Sequence, residues 1–522
     1  MRFYRSILLS IISATLLILS YPLANMWPLT WIALVPLFCA FRGKKFINVF
    51  LLGFLTGLVF FYGAIYWLNC IAVMATIALV LYLALYFAAF AVFAAAILKK
   101  NLPIFFKCIF ISSWWVCLEF IRSNFLTGFG WSLLGYSQAG FLPSIQIADI
   151  TGVWGVSFIV IFFNVVVYEF FFSPSLRAPR SGAKQSPRLL ENRLLNFLFC
   201  SFLIIFVFFY GFYKLNLKLV TYDLQPLKIS LIQGNIPQPL KWDESYKNEI
   251  IKKYFDLTMA AAQDKPDIII WPETAYPADL ALEPVLAKEL FNLAKTVNAD
   301  LLIGANRYES RNIYNSAILI GPDGVIKAHY DKLHLVPFGE FVPKMPKIIF
   351  KLLPEKINMV GDFSPGEIYT IFESTRAQEH KPQIKFSVLI CFEDVFPDMA
   401  RRFVRNGARL LVNITNDGWY GLSSAPFQHA QASVFRAVEN RVPVVRSTNT
   451  GYSVFIDERG RIRDEIAPFT AGYKTRDIFV GGEHCSPLYT FYNTYSYAFV
   501  IISFLLSLLG FGIILVHATH KN

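Results

Sequence analysis

Apolar residues fall along this chain in two rhythms. Up to about residue 213, and again at 494–517, they run in long, nearly unbroken blocks. A helix that crosses a bilayer needs about 20 mostly apolar residues. Eight blocks are predicted to do so: 6–23, 26–41, 47–67, 71–98, 103–121, 152–172, 195–213 and 494–517. The first follows Arg2 and Arg5, as a signal peptide would. No small-residue cleavage site follows it and the next block starts almost at once, so it is expected to stay as a span. Segment 122–151 is apolar and aromatic but broken by Gly and Pro, which predicts a re-entrant or interfacial element. GFLTG at 53–57 has the spacing of a GxxxG helix contact.

Between 220 and 485 the rhythm shortens. Apolar runs of strand length stand at 227–233, 267–271, 300–306, 384–391, 409–415 and 442–448. Helical runs separate them near 245–263, 284–298, 397–407 and 427–441. IGPDGVIKAHY and VFIDERGRIRDEI each turn at an acidic residue and Gly, as hairpins do. This alternation predicts a layered α/β domain. The expected organisation is seven spans in 1–213 with the broken segment inside them, an α/β domain over 220–485, and a last span at 494–517.

Composition agrees with a membrane protein carrying a water-soluble part. Of 522 residues 55% are hydrophobic and 16% charged, against about 25% charged in soluble chains. The net charge of +12 would suit nucleic acid, but its distribution argues otherwise. Residues 227–485 hold 31 basic and 31 acidic residues, and the remaining 17 basic and 5 acidic residues lie elsewhere. Alternate connections between apolar blocks carry thirteen of those basic residues, and the short connections on the other side carry one, Arg122. That asymmetry puts both termini in the cytoplasm and 220–485 outside it.

Three polar residues stand where apolar strands end: Glu273 after DIIIWP, Lys332 after the hairpin, and Cys391 at the end of FSVLIC. Strand ends in layered α/β folds are where sites assemble. A thiolate is a strong nucleophile, a carboxylate can take its proton, and an ammonium can stabilise an oxyanion. Taken singly, each has a plainer reading: core for the cysteine, surface charge for the other two. Cys39, Cys70, Cys108, Cys117 and Cys200 lie in apolar blocks and read as packing residues. A disulfide between Cys391 and Cys485 is left open. No zinc spacing occurs.

The surrounding words decide between these readings. WPETAYP, DKLHLVPFGEFVP and CFEDVFP resemble the Glu-Lys-Cys signature of the nitrilase superfamily. QGNIPQPLKWD, NITNDGWYGLSSAPFQHAQ, RAVENRVPVVRSTNTGYSVFID and, in the membrane part, GWSLLGYSQ extend the likeness. A nitrilase-like αββα sandwich between spans seven and eight resembles the membrane-embedded branch of that superfamily, the apolipoprotein N-acyltransferases. The resemblance implies acyl transfer from a membrane phospholipid, through a Cys391 thioester, to the α-amino group of a diacylglyceryl-cysteine apolipoprotein, in a bacterial inner membrane with the domain in the periplasm. It implies Glu273 as general base, and Lys332 with the Phe392 N–H as oxyanion donors. Glu340 and Glu393 would support them. Trp242, Trp419 and Tyr420 are candidate lipid contacts, and Trp131 and Tyr136 a candidate floor for acyl chains. No metal or cofactor is called for. His334 and His429 find no part in this chemistry. A membrane-anchored amidase would use the same triad, but one anchor would serve it. A transporter would place ionisable residues deep in its spans, whereas Lys107, Glu119 and Glu169 lie near predicted span ends.

Overall fold

The computed structural model describes residues 3–172, 187–217, 224–342, 362–374, 383–481 and 489–519. The chain divides into two compact units. One comprises Met1–Asn69, Val73–Leu217 and Tyr495–Asn522, and the other Cys70–Ala72 and Lys218–Thr494.

The first unit is helical, because in lipid only a helix satisfies the backbone of a single apolar segment internally. Among the described residues six helices are long and apolar enough to span: Phe46–Ala64, Val73–Leu98, Ile104–Asn124, Val153–Phe172, Leu194–Asn216 and Ala498–Val516. The first two predicted spans come out shorter. Phe3–Leu19 has 17 residues, and Trp27–Ala40 is a 3-10 turn and a six-residue helix, each with a proline at its start. Proline has no N–H to continue a helix, so this block breaks where apolarity alone predicted continuity. GFLTG is a true helix contact: a Cβ on Gly53 would fall 2.4 Å from the Ala91 Cβ, and one on Gly57 2.8 Å from the Ala84 Cα.

Segment 122–151 forms three short turns, Leu134–Gln138, Leu142–Ile145 and Ala148–Thr151. Its loose main-chain groups are met by buried charges. Arg122 Nη1 donates to the carbonyls of Phe129 (3.2 Å) and Trp131 (2.7 Å), and Glu119 Oε1 accepts the Leu134 N–H at 2.7 Å. These two ionisable residues hold irregular backbone inside the protein, where such backbone is tolerated at membrane depth.

The second unit has twelve strands among the described residues: Leu224–Gln233 (β1), Ile268–Ile270 (β2), Asp300–Glu309 (β3), Asn312–Ile320 (β4), Ile326–Asp331 (β5), Phe372–Glu373 (β6), Lys385–Ile390 (β7), Leu410–Thr415 (β8), Val444–Thr448 (β9), Ser453–Ile456 (β10), Ile462–Ile466 (β11) and Gly472–Gly481 (β12). They make two six-stranded mixed sheets, β12-β1-β2-β3-β4-β5 and β11-β10-β9-β8-β7-β6. The sheets meet through β1 and β9, where Ser447 Oγ donates to the carbonyls of Ile232 and Ile270. Helices Lys247–Ala262 and Pro284–Val297 cover the first sheet through a core that includes Tyr254, Leu290, Trp271 and Ile303. Helices Pro397–Arg405 and Ala425–Asn440 pack together beside the second. This is the expected αββα sandwich. The strand β12, which the apolar pattern did not reveal, pairs antiparallel along all of β1 and closes the first sheet from the far end of the domain.

Candidate active site

Each of the three chemical residues sits just beyond a strand. Glu273 follows β2 through Trp271, whose N–H is held by the Leu302 carbonyl at 2.8 Å. The chain then turns through Thr274 at φ 44°. Gly304 lets β3 come close to this turn: a Cβ there would lie 2.3 Å from the Pro272 carbonyl oxygen. Lys332 follows β5, its N–H bound to the Asn315 carbonyl of β4. Cys391 follows β7 and opens a 3-10 turn, Cys391–Val395. Its φ of 54° lies in the left-handed region, a strain of about 1–3 kcal/mol that persists only where the surroundings enforce it.

The geometry brings the three together. Glu273, Lys332 and Cys391 are all buried. Lys332 Nζ is 2.9 Å from Glu340 Oε1 and 3.4 Å from Glu273 Oε1. The Asn315 amide bridges the same two carboxylates at 2.8 and 2.9 Å. Glu273 Oε2 accepts the Asn416 N–H at 2.9 Å. Burial disfavours charge on Lys332, but Glu340 and Glu273 outweigh it and hold its pKa well above the usual lysine range. Burial first, and then the charge of Glu273, push the Cys391 thiol up, while Lys332 pulls it down. The resting thiol is therefore protonated, and its proton must leave as the sulfur reacts.

Glu393 ties two of these strand ends together. It is fully buried, and its carboxylate accepts from the Tyr330 hydroxyl and from the N–H groups of Leu333, His334 and Ile390. Burial pushes its pKa up to about 7 against those donors. Glu340 Oε2 similarly accepts the Val336 N–H at 2.8 Å, shaping the loop after Lys332. Phe392 packs edge-on against Phe396.

The predicted aromatics divide. Burial first, and then the charges of Asp417 and Glu273, push the pKa of Tyr420 up, while Lys332 pulls it down, so its hydroxyl lies within electrostatic reach of the site. Trp242 and Trp419 are 44% and 37% exposed, enough to meet a partner. Trp131 and Tyr136 are buried in the helical unit, Trp131 with its ring 4.9 Å from that of Trp67. Cys485 lies outside the described residues, so its pairing does too.

Several neighbours of the triad were not anticipated. Asn315 lies within β4, and its only mark in the sequence is a polar residue among apolar ones. Lys241 Nζ donates to the Glu273 carbonyl at 2.8 Å, and burial pushes its pKa down to about 8. It stands in QGNIPQPLKWD, so the matching word pointed to its neighbourhood but not to its role. His429, set aside on chemical grounds, lies against the Cys391 carbonyl.

A buried thiol beside a carboxylate and an ammonium, at the strand ends of a two-sheet sandwich, is the equipment of a carbon–nitrogen hydrolase. The carbon–nitrogen hydrolase family profile matches residues 228–480. Residues 13–166 match the apolipoprotein N-acyltransferase N-terminal domain. An apolipoprotein N-acyltransferase of Geobacter metallireducens is 38% identical over 95% of this chain and 92% of its own. Apolipoprotein N-acyltransferase 1 of Treponema denticola is 28% identical over 94% and 93%. The chain belongs to the apolipoprotein N-acyltransferase family, and is embedded in a membrane. Among solved structures, an amidase from Nesterenkonia sp. aligns with 50% of this chain and 93% of its own at 19% identity, with a TM-score of 0.37.

Proposed function

We propose that the protein moves an acyl chain from a membrane phospholipid to the free α-amino group of a diacylglyceryl-cysteine apolipoprotein, with Cys391 as nucleophile. The observation that carries this reading is the buried thiol set among Glu273 and Lys332. Glu273 takes the thiol proton as Sγ attacks the ester carbonyl. Lys332 and the Phe392 N–H receive the negative charge that develops on oxygen. The intermediate collapses to a thioester, and the departing lysophospholipid alkoxide takes the proton from Glu273. The lipoprotein amine then attacks the thioester and gives its proton to Glu273. The thiolate leaves and recovers that proton, so the enzyme ends as it began. Tyr420 is the aromatic best placed beside the acyl group, and Trp242 and Trp419 offer exposed rings to lipid.

Residues 220–485 are assigned to the periplasmic side of the inner membrane, with 1–213 and 494–517 as the membrane part and both termini in the cytoplasm. The thirteen-to-one basic asymmetry supports this orientation. The fatty chains of both substrates stay in the same leaflet, since leaving it costs about 0.8 kcal/mol per CH₂. One nucleophile serves both substrates in turn, so initial rates at several fixed phospholipid levels should give parallel double-reciprocal lines. Intersecting lines would mean that both substrates bind together and would rule out the single-pocket scheme. A membrane-bound amidase is disfavoured by the N-terminal family match.

A further inference from the structure

Behind the nucleophile lies a second buried charged cluster that this reaction leaves unused. The side chains of Asp394, Asp417, His429 and Arg446 are no more than 1% exposed. Arg446 Nη1 is 3.0 Å from Asp394 Oδ2, and its Nη2 is 3.0 Å from Asp417 Oδ2. His429 Nδ1 is 2.9 Å from Asp417 Oδ1. Its Nε2 is 2.8 Å from Asp394 Oδ1 and 3.2 Å from the carbonyl oxygen of Cys391. All three of these neighbours are acceptors. A neutral imidazole carries one N–H, so a ring with acceptors at both nitrogens is an imidazolium. The cluster then balances, two carboxylates against a guanidinium and an imidazolium. Burial and Arg446 oppose the charge on His429, and Asp394 and Asp417 outweigh them, raising its pKa.

The Cys391 carbonyl also accepts Asn413 Nδ2 at 3.1 Å, and Asn413 Oδ1 is held by Arg446 at 2.6 Å. The peptide between Cys391 and Phe392 is thus gripped by its oxygen. A trans peptide is planar with its C=O and N–H on opposite sides, so this grip sets where the Phe392 N–H points. A cationic donor on the oxygen also polarises the peptide and strengthens that N–H as a donor.

We propose that His429 is a positioning residue that builds the oxyanion site at a distance, by clamping the Cys391 carbonyl and so aiming and strengthening the Phe392 N–H. The inference rests on Cys391 being the acylated nucleophile. It explains why a histidine without a proton to move lies against the Cys391 carbonyl, and why Cys391 holds its left-handed φ.

The test compares two reactions of the same sulfur. Acylation by phospholipid passes through an oxyanion, whereas alkylation by iodoacetamide does not. In His429→Gln, the limiting rate of Cys391 acylation should fall about tenfold at unchanged KM for phospholipid, less than the ~10²–10³ for deleting a donor outright. Iodoacetamide labelling of Cys391, followed by peptide mass spectrometry, should stay within about twofold of the unaltered protein. Both rates falling together, or neither falling, overturns the proposal. Because the variant can fail to fold, the unaltered full-length protein in detergent supplies a second reading. With ¹⁵N-labelled histidine at pH about 8.5, where free imidazole is neutral, one of the seven histidines should show both ring nitrogens protonated. Seven neutral rings would overturn the proposal as well. Unaltered protein that gains no acyl group on Cys391 would instead count against the acyl-transfer reading.

Discussion

Two buried lysines of this chain meet glutamates in different company. In the helical unit Lys107 pairs with Glu169 at 3.1 Å and its ammonium also reaches the Leu98 carbonyl. That pair is closed, one charge for one charge. In the α/β unit Lys332 stands between two carboxylates, Glu340 and Glu273, with the Asn315 amide bridging both. Lys241 adds a second cation, but it bonds to the main-chain oxygen of Glu273 and its pKa is down at about 8. The difference teaches what a buried ion pair is for. Breaking a neutral pair costs about 3–5 kcal/mol because a charge is left bare, so a closed pair holds structure. A lysine shared by two carboxylates leaves one of them able to take a proton, which is what the proposed base needs.

The largest effect expected is at the sulfur itself. Cys391→Ala should abolish the acyl adduct seen by intact-protein mass spectrometry after incubation with phospholipid, while the protein still inserts. Retained acylation would remove Cys391 from the scheme. Cys391→Ser should be nearly as inactive, because a hydroxyl has a pKa far above that of a thiol at about 8.5.

Next come the members of the open cluster. Glu273→Gln and Lys332→Ala should each slow acylation by at least about 10²-fold, the scale for a lost base or oxyanion donor. They should part company in alkylation at about pH 10, where direct thiolate reaction dominates. Besides burial, Glu273 raises the thiol pKa and Lys332 lowers it. Removing the carboxylate should therefore shift the pH–alkylation curve of Cys391 down, and removing the ammonium should shift it up. Shifts in the same direction would break the electrostatic account. Lys332→Arg should also fail, since a planar fork does not replace a point charge in a packed site.

Glu393→Gln should cost about tenfold in acylation, in line with the ~1.5–3 kcal/mol of hydrogen bonds to a charged group. A glutamine amide keeps one acceptor oxygen and would turn its NH2 either toward the Ile390 N–H or toward the Leu333 and His334 N–H groups that now bind the carboxylate. An unaltered rate would show that the two strand ends hold their places without this tie.

The smallest effect on rate is expected from the closed pair. Lys107→Met should lower thermal stability by about 3–5 kcal/mol and leave acylation by the folded fraction unchanged. The double variant Lys107→Met with Glu169→Met should recover most of that stability. A loss of rate per folded molecule would end the contrast drawn between the two lysines.

Much of this was legible along the chain. The change of rhythm near residue 220 separated helical membrane segments from α/β strands. Cys391, Glu273 and Lys332 were visible because each ends an apolar run inside a distinctive word. What escaped has physical reasons. The strand β12 is mostly half-exposed at a sheet edge and carries Lys474, Arg476 and Asp477, so its apolar pattern is weak. The block at 26–41 was apolar enough to be read as a span, but its prolines cut it. Asn315 escaped because its partners come from two other segments, one of them 42 residues away.

The sequence by itself determined where the chain is apolar enough to be helical, where strands end, and which residue types stand at those ends, because periodicity and turn chemistry are local. Only the tertiary structure decided which carboxylates share Lys332, that Glu119 and Arg122 hold broken backbone, and that His429 stands between Asp394 and Asp417. Those are statements about proton affinity and unmet hydrogen bonds. They depend on how far water is excluded and on which acceptors stand within about 3 Å, and the acceptors arrive from segments that are neighbours only after folding.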